Sequence, residues 1–186
     1  MSTLQTITIE VVGVTPLLMN NPAESMAPGS SELTSSRKTY SAEDDADRSC
    51  YKDANGGFYL PTFAFRSCMK EAAKGRKVAP KLYATTAVKG AVFPADERTP
   101  LLDPSTGEVL RTYEIDTRRA VIEGKGILRS RAKLPVWACA VNLDCDLEFI
   151  TEAVARELLS IGGHMVGVGD FRPEHDGPFG RFTVKD

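Results

Sequence analysis

Two stretches of this chain repeat their apolar residues at helical spacing, with β-type alternation before, between and after them. That order constrains the fold more than any other feature of the sequence. Phe65, Cys68, Met69 and Ala72 recur at i, i+3, i+4 and i+7, one face of a helix that Pro61 opens and Gly75 ends. Ile150, Val154, Leu158 and Ile161 repeat at intervals of 4, 4 and 3, and Gly162 is the expected C-terminal stop. Residues 6–12, TITIEVV, set Ile7, Ile9 and Val11 against polar neighbours, the pattern of a half-buried strand. VKGAVFP predicts a strand over residues 89–93, and Asp103, Pro104 and Gly107 supply hairpin-turn chemistry. Two long β-rich stretches, joined by EGKG at residues 123–126, predict an extended β-ribbon over residues 110–137. FGRFTV reads as a final strand. Residues 20–57 are polar and Ser/Thr-rich, an insertion after the first strand with a short helix in SAEDDADRSCY. Without that insertion the order is β-α-β-β-α-β, an α+β, ferredoxin-like or RRM-like core in a single domain over residues 1–186.

The composition narrows the function. Apolar residues make up 42% and charged residues 26%, and no apolar run approaches the roughly 18 residues of a membrane span. The first residues lack the basic-then-apolar pattern of a signal peptide, so a cytoplasmic chain with no membrane partner is expected. Cys50, Cys68, Cys139 and Cys145 contain no CxxC pair, and with His164 and His175 their spacing does not suit zinc. No metal or cofactor is expected. There is no GxSxG, HExxH or P-loop, and GVGDFR lacks the third glycine of a dinucleotide fingerprint. A non-catalytic protein is therefore expected. One enzymatic alternative stands: EDDAD, residues 43–47, is either a solvated acidic helix start or the acidic group of a metal-dependent ribonuclease.

The net charge of −2 conceals segregation. Residues 62–92 carry seven Lys/Arg against Glu71 alone, and residues 111–133 carry seven against three acids. Residues 23–53 and 144–160 are acidic, at −3 and −4. Such a surface attracts a polyanion or the acidic face of a neighbouring copy, unless each block is ordinary solvated charge. Arg66, Lys70, Lys74 and Lys77 stripe the first helix at i, i+4, i+8 and i+11, as a solvated face or a phosphate-binding ridge. Alternation puts Arg129, Arg131 and Lys133 on one side of the ribbon, where Arg118 or Arg119 joins them from the partner strand. Residues 162–180 hold six of the 15 glycines, threaded with His164, Arg172 and His175. Glycines such as Gly167 and Gly169 let backbone N–H groups approach a phosphate chain. Phe171, Phe179 and Phe182, with Tyr51, Phe58 and Tyr59, are core residues or platforms for unpaired bases.

IGGHMVGVGDFRP with GPFGRF resembles the glycine-rich loop and following strand of the RAMP (repeat-associated mysterious protein) superfamily, and PTFAFRSCMKEAAKG resembles its first helix. The closest likeness is to the backbone subunits of CRISPR effector complexes, which coat guide RNA as filaments. The resemblance implies that Arg66 and Lys70 contact an RNA backbone. It also implies that the insertion and ribbon are thumb-like or web-like elements. The partner expected is single-stranded RNA, or DNA, bound by a chain that forms homo-oligomers or filaments along it, with or without other effector subunits. A small stand-alone or phage-encoded relative fits equally. The alternative of a different class is an interaction, decoy or structural module that inserts into another complex.

Overall fold

A computed structural model of the chain describes residues 4–22, 40–122 and 125–185. In order, its elements are β1 (Leu4–Gly13), β2 (Leu17–Leu18), α1 (Ala42–Arg48), β3 (Tyr59–Pro61), α2 (Thr62–Ala72), β4 (Lys77–Ala79), β5 (Leu82–Tyr83), α3 (Ala84–Ala91), β6 (Val92–Pro94), β7 (Arg98–Pro100), β8 (Glu114–Ile122), β9 (Lys125–Leu134), β10 (Ala138–Asp146), α4 (Glu152–Met165), a 3-10 turn at Pro173–His175, and β11 (Phe182–Val184).

The main sheet has the strand order β11-β1-β10-β6, antiparallel throughout. With α2 between β1 and β6, and α4 between β10 and β11, this is the expected α+β ferredoxin-like core. Alternation explains its two faces. Ile7, Ile9 and Val11 on β1, and Cys139, Val141, Leu143 and Cys145 on β10, are buried against the helices. On the other face Thr6 donates to Asp144 at 2.5 Å and Thr8 to Asn142 at 2.8 Å, both exposed. Trp137 is fully buried, donates Nε1–H to the Thr15 carbonyl at 2.9 Å, and meets the Phe182 ring edge-on at 6.1 Å. Phe182 in turn meets Phe65 of α2 at 5.8 Å, so one aromatic chain links sheet to helix.

The ribbon forms a second sheet, β2-β9-β8, in which Leu17 pairs with Leu134 and Arg118 with Arg129. Helix α1, capped by Ser41, which accepts from Asp44 N–H at 3.1 Å, packs on it. Asp45 accepts from Ser130 N–H at 2.6 Å, and Ser49 from Ala132 N–H at 2.8 Å. Residues 23–39 of the expected insertion, and positions 123 and 124 of the expected hairpin turn, lie outside the described residues.

Two expectations need correction. The strand placed at residues 89–93 begins only at Val92, because residues 84–91 are helical. Ala84, Ala87, Val88 and Ala91 share one buried face at i, i+3, i+4 and i+7, a stripe of small residues that outweighs the β-branched ones. The second helix does not stop at Gly162 but runs through Gly163 to Met165. A Cβ at Gly162 would lie 2.8 Å from Cys68 Sγ, and one at Gly163 would lie 2.4 Å from the Phe182 carbonyl oxygen. These glycines are crossing points where α4 meets α2 and β11, and tertiary contact repays their poor helix propensity.

Gly163→Ala should therefore destabilise the protein by about 1–3 kcal/mol through overpacking. Gly90→Ala, in α3 with open space around it, should stabilise it by roughly 0.5–1 kcal/mol. Urea denaturation of the two variants checks both signs.

Candidate nucleic-acid interface

The glycine segment after α4 is a tightly packed turn. Asp170 N–H donates to the Leu18 carbonyl at 2.9 Å, Val168 N–H to Gly180 at 2.9 Å, and Gly180 N–H to Pro16 at 2.8 Å. Gly169 takes a left-handed φ of +78°, and a Cβ there would lie 2.5 Å from the Leu18 carbonyl oxygen. The loop is thus fixed between β2 and β11, facing α2.

Between loop and helix runs a groove of about 460 Å³. Ala64, Ser67, Cys68, Lys70 and Glu71 of α2 form one wall, and Gly167, Gly169, Asp170, Arg172 and Glu174 form the other. Asn20 and Tyr51 lie at the insertion end. Gly169 and Arg172 keep amide N–H groups with no partner among the described residues. Their donors, with the Lys70 ammonium and the Ser67 hydroxyl, are the chemistry that a phosphodiester chain requires.

The cations here are already paired. Lys70 lies 3.7 Å from Glu71, and Lys74 also pairs with Glu71. The Lys74 hydrogen bond holds the Glu71 carboxyl below its usual range. Arg172 donates to Glu174 from Nη2 at 2.6 Å and from Nε at 3.0 Å, and its Nη1 donates to the Gly169 carbonyl at 2.9 Å. Any anion entering the groove would have to replace these carboxylates as partner to the cations.

The sequence-derived candidates separate into groups. Lys70, Gly167, Gly169 and Arg172 meet at the groove. Arg66 has a different position: its Nε donates to the Val92 carbonyl at 2.6 Å and its Nη2 to that of Lys89 at 2.9 Å, where α3 ends. Its guanidinium also lies 5.6 and 5.8 Å from the rings of Phe63 and Phe93. On the ribbon, Lys133 pairs with Glu114 at 2.7 Å, Arg131 pairs with Asp170 of the glycine loop, Arg129 approaches Asp45 at 3.6 Å and Arg118 bonds Asp116 at 2.6 Å. The expected basic side thus carries a carboxylate beside every cation. Arg119, opposite Leu128 in the register, is exposed on the other face. His164 is exposed in the last turn of α4, and His175 is 3.9 Å from Glu174. Within EDDAD, Asp45 binds the Ser130 amide, and Asp47 pairs with Lys52 and accepts from the Tyr113 hydroxyl at 3.2 Å.

Ser67, Glu71, Asp170 and Glu174 were not among the sequence candidates, whereas Tyr51, named there as a core residue or base platform, lines the groove. A usable signal existed for α2: Ala64, Ser67, Cys68 and Glu71 repeat at i, i+3, i+4 and i+7. The loop acids carried no such signal, since only the fold turns them toward α2. The four cysteines are buried. Burial pushes the Cys50 and Cys68 thiols up to about 12 and Cys145 to about 11.

Topology and groove together define a ferredoxin-like α+β protein whose glycine loop faces its first core helix. The crystal structure of Cmr6 from Pyrococcus furiosus has the same fold, with a TM-score of 0.53 and 13% sequence identity over 100% of both chains. No protein-family model and no curated protein matches the sequence. Among the described residues no helix is long and apolar enough to cross a membrane.

Arg66→Ala should lower stability by roughly 1–2 kcal/mol, because carbonyls at the end of α3 lose their donors. Lys70→Ala should leave the melting temperature within about a degree. Iodoacetamide at pH 7 should label the native cysteines far more slowly than the urea-unfolded ones, because a raised thiol pKa leaves little thiolate. Calorimetry reads the two variants, and mass spectrometry reads the labelling.

Proposed function

We propose that this protein is a non-catalytic RAMP-type RNA-binding protein. A single strand runs through the groove between α2 and the glycine loop, and copies of the chain multimerise along it, alone or with other effector subunits, in the cytoplasm. The observation that carries this reading is the meeting across one groove of Lys70, Ser67, Arg172 and the Gly169 and Arg172 amides, which have no partner among the described residues. The fold it shares with Cmr6, and the RAMP-like sequence of its loop and first helix, support the same reading. RNA is preferred to DNA on the strength of that resemblance. Phosphates displace Glu71 and Glu174 from their cations, so affinity falls steeply with salt.

A second reading, a module that docks on another protein, is favoured by one surface. Phe63 and Phe93 are 57% and 43% exposed on either side of Arg66, an apolar patch that an RNA contact leaves unused. Sizing with and without RNA separates the readings.

In fluorescence anisotropy, a single-stranded RNA should bind at low salt, with log K falling linearly against log salt. Replacing both Lys70 and Arg172 by alanine should flatten that slope by about 1.4, roughly 0.7 for each lost phosphate contact. A folded protein that binds no RNA at 20–50 mM salt (about the range where such contacts dominate) overturns the proposal. Electron microscopy with a long strand should show filaments that are absent without it.

A further inference from the structure

Beside the groove lies a cluster that neither the core nor the phosphate track uses. Phe171 adopts φ +47°, one of two non-glycine residues in the left-handed region among those described. Ordinary side chains avoid that conformation, and it persists only where the surroundings over-determine it. Here they do. The Phe171 carbonyl accepts from Phe179 N–H at 3.3 Å, and on its two sides Asp170 pairs with Arg131 while Arg172 is bound to Glu174 and Gly169.

The strained backbone presents an aromatic ring to solvent. Phe171 is 37% exposed and rests on Phe179, which is buried, at a centroid distance of 6.2 Å. Packing alone favours glycine or asparagine at an exposed left-handed position, and burial favours no phenylalanine there. Across the ring pair lies Arg118 of β8, its guanidinium 5.7 Å from the Phe171 centroid and 4.8 Å from that of Phe179. Asp116 holds that guanidinium through two bonds, Nε at 2.6 Å and Nη2 at 3.1 Å. The plane of the arginine is fixed, and Arg118 is itself exposed. Asp170 and Arg172, on either side of Phe171 in sequence, both line the groove.

We infer that Phe171, backed by Phe179 and with the Arg118 guanidinium over the ring pair, is a stacking subsite for one unpaired nucleobase, swung off the phosphate track at the end of the groove. The inference rests on the RNA-binding reading and adds to it where a base is held. An exposed ring with a guanidinium over the ring pair supplies π-stacking without base identity. The left-handed backbone at residue 171 turns the side chain out of the loop.

Two strands of equal length test it, oligo(rA) and an abasic ribose-phosphate strand with the same phosphates. The wild type should bind oligo(rA) about tenfold or more tightly over the abasic strand. Phe171→Gly suits the left-handed backbone and removes the ring; it should bring the two affinities within about twofold while leaving that for the abasic strand unchanged. Phe171→Trp should keep the difference. If Phe171→Gly discriminates as the wild type does, the subsite is overturned and the phosphate groove stands. If neither strand binds the wild type, both readings fall. Should Phe171→Gly melt early, the wild type decides with a strand carrying 2-aminopurine: quenching on binding supports the stack, and unchanged emission overturns it.

Discussion

Close backbone contact at the glycine segment holds the rest of the molecule together. From the last turn of α4 to β11 the chain passes so near Leu18, Val168 and Phe182 that side chains at Gly169, Gly180 and Gly163 would overlap main-chain atoms. Through these contacts the segment bonds to β2, which belongs to the ribbon sheet, and leads into β11 at the edge of the main sheet. One loop therefore joins two sheets and sets the distance from its own backbone to α2. The groove is a consequence of that packing, so its walls are pre-organised before any ligand arrives.

Electrostatic pairing then determines what the groove and ribbon offer. Charge segregation along the chain suggests long cationic tracks, but in three dimensions Arg118, Arg129, Arg131, Lys133, Lys70 and Arg172 each lie within reach of a carboxylate. Exposed pairs of this kind contribute little to stability. Under the proposed function their effect would be on selectivity, since a ligand would have to bring several phosphates to replace several carboxylates. Arg131 with Asp170 also ties the ribbon to the glycine loop.

Much of the core was readable without coordinates, because binary patterning acts locally. Ile7, Ile9 and Val11 alternate as a strand must, and Phe65, Cys68 and Met69 fall on one helix face in any context. The same local logic failed at residues 89–91, read as the start of a strand, because Ala84, Ala87, Val88 and Ala91 bury one face at helical spacing and α3 runs on to Ala91. It failed again at Gly162, since a glycine that ends a helix and one that admits a neighbouring helix look alike in sequence.

Of the candidate site, Lys70, Gly167, Gly169 and Arg172 were legible as residue types suited to phosphate. The sequence by itself determined the β-α-β-β-α-β order, the apolar faces and the stock of cations and glycines, all of which depend on neighbours a few positions apart. Tertiary structure alone decided that Arg66 serves the end of α3, that Arg129, Arg131 and Lys133 meet acids from other parts of the chain, and that Phe171 emerges beside Arg118. Those outcomes depend on groups far apart in the chain, such as Arg66 with Val92 or Arg131 with Asp170, and no local pattern encodes a distance between them.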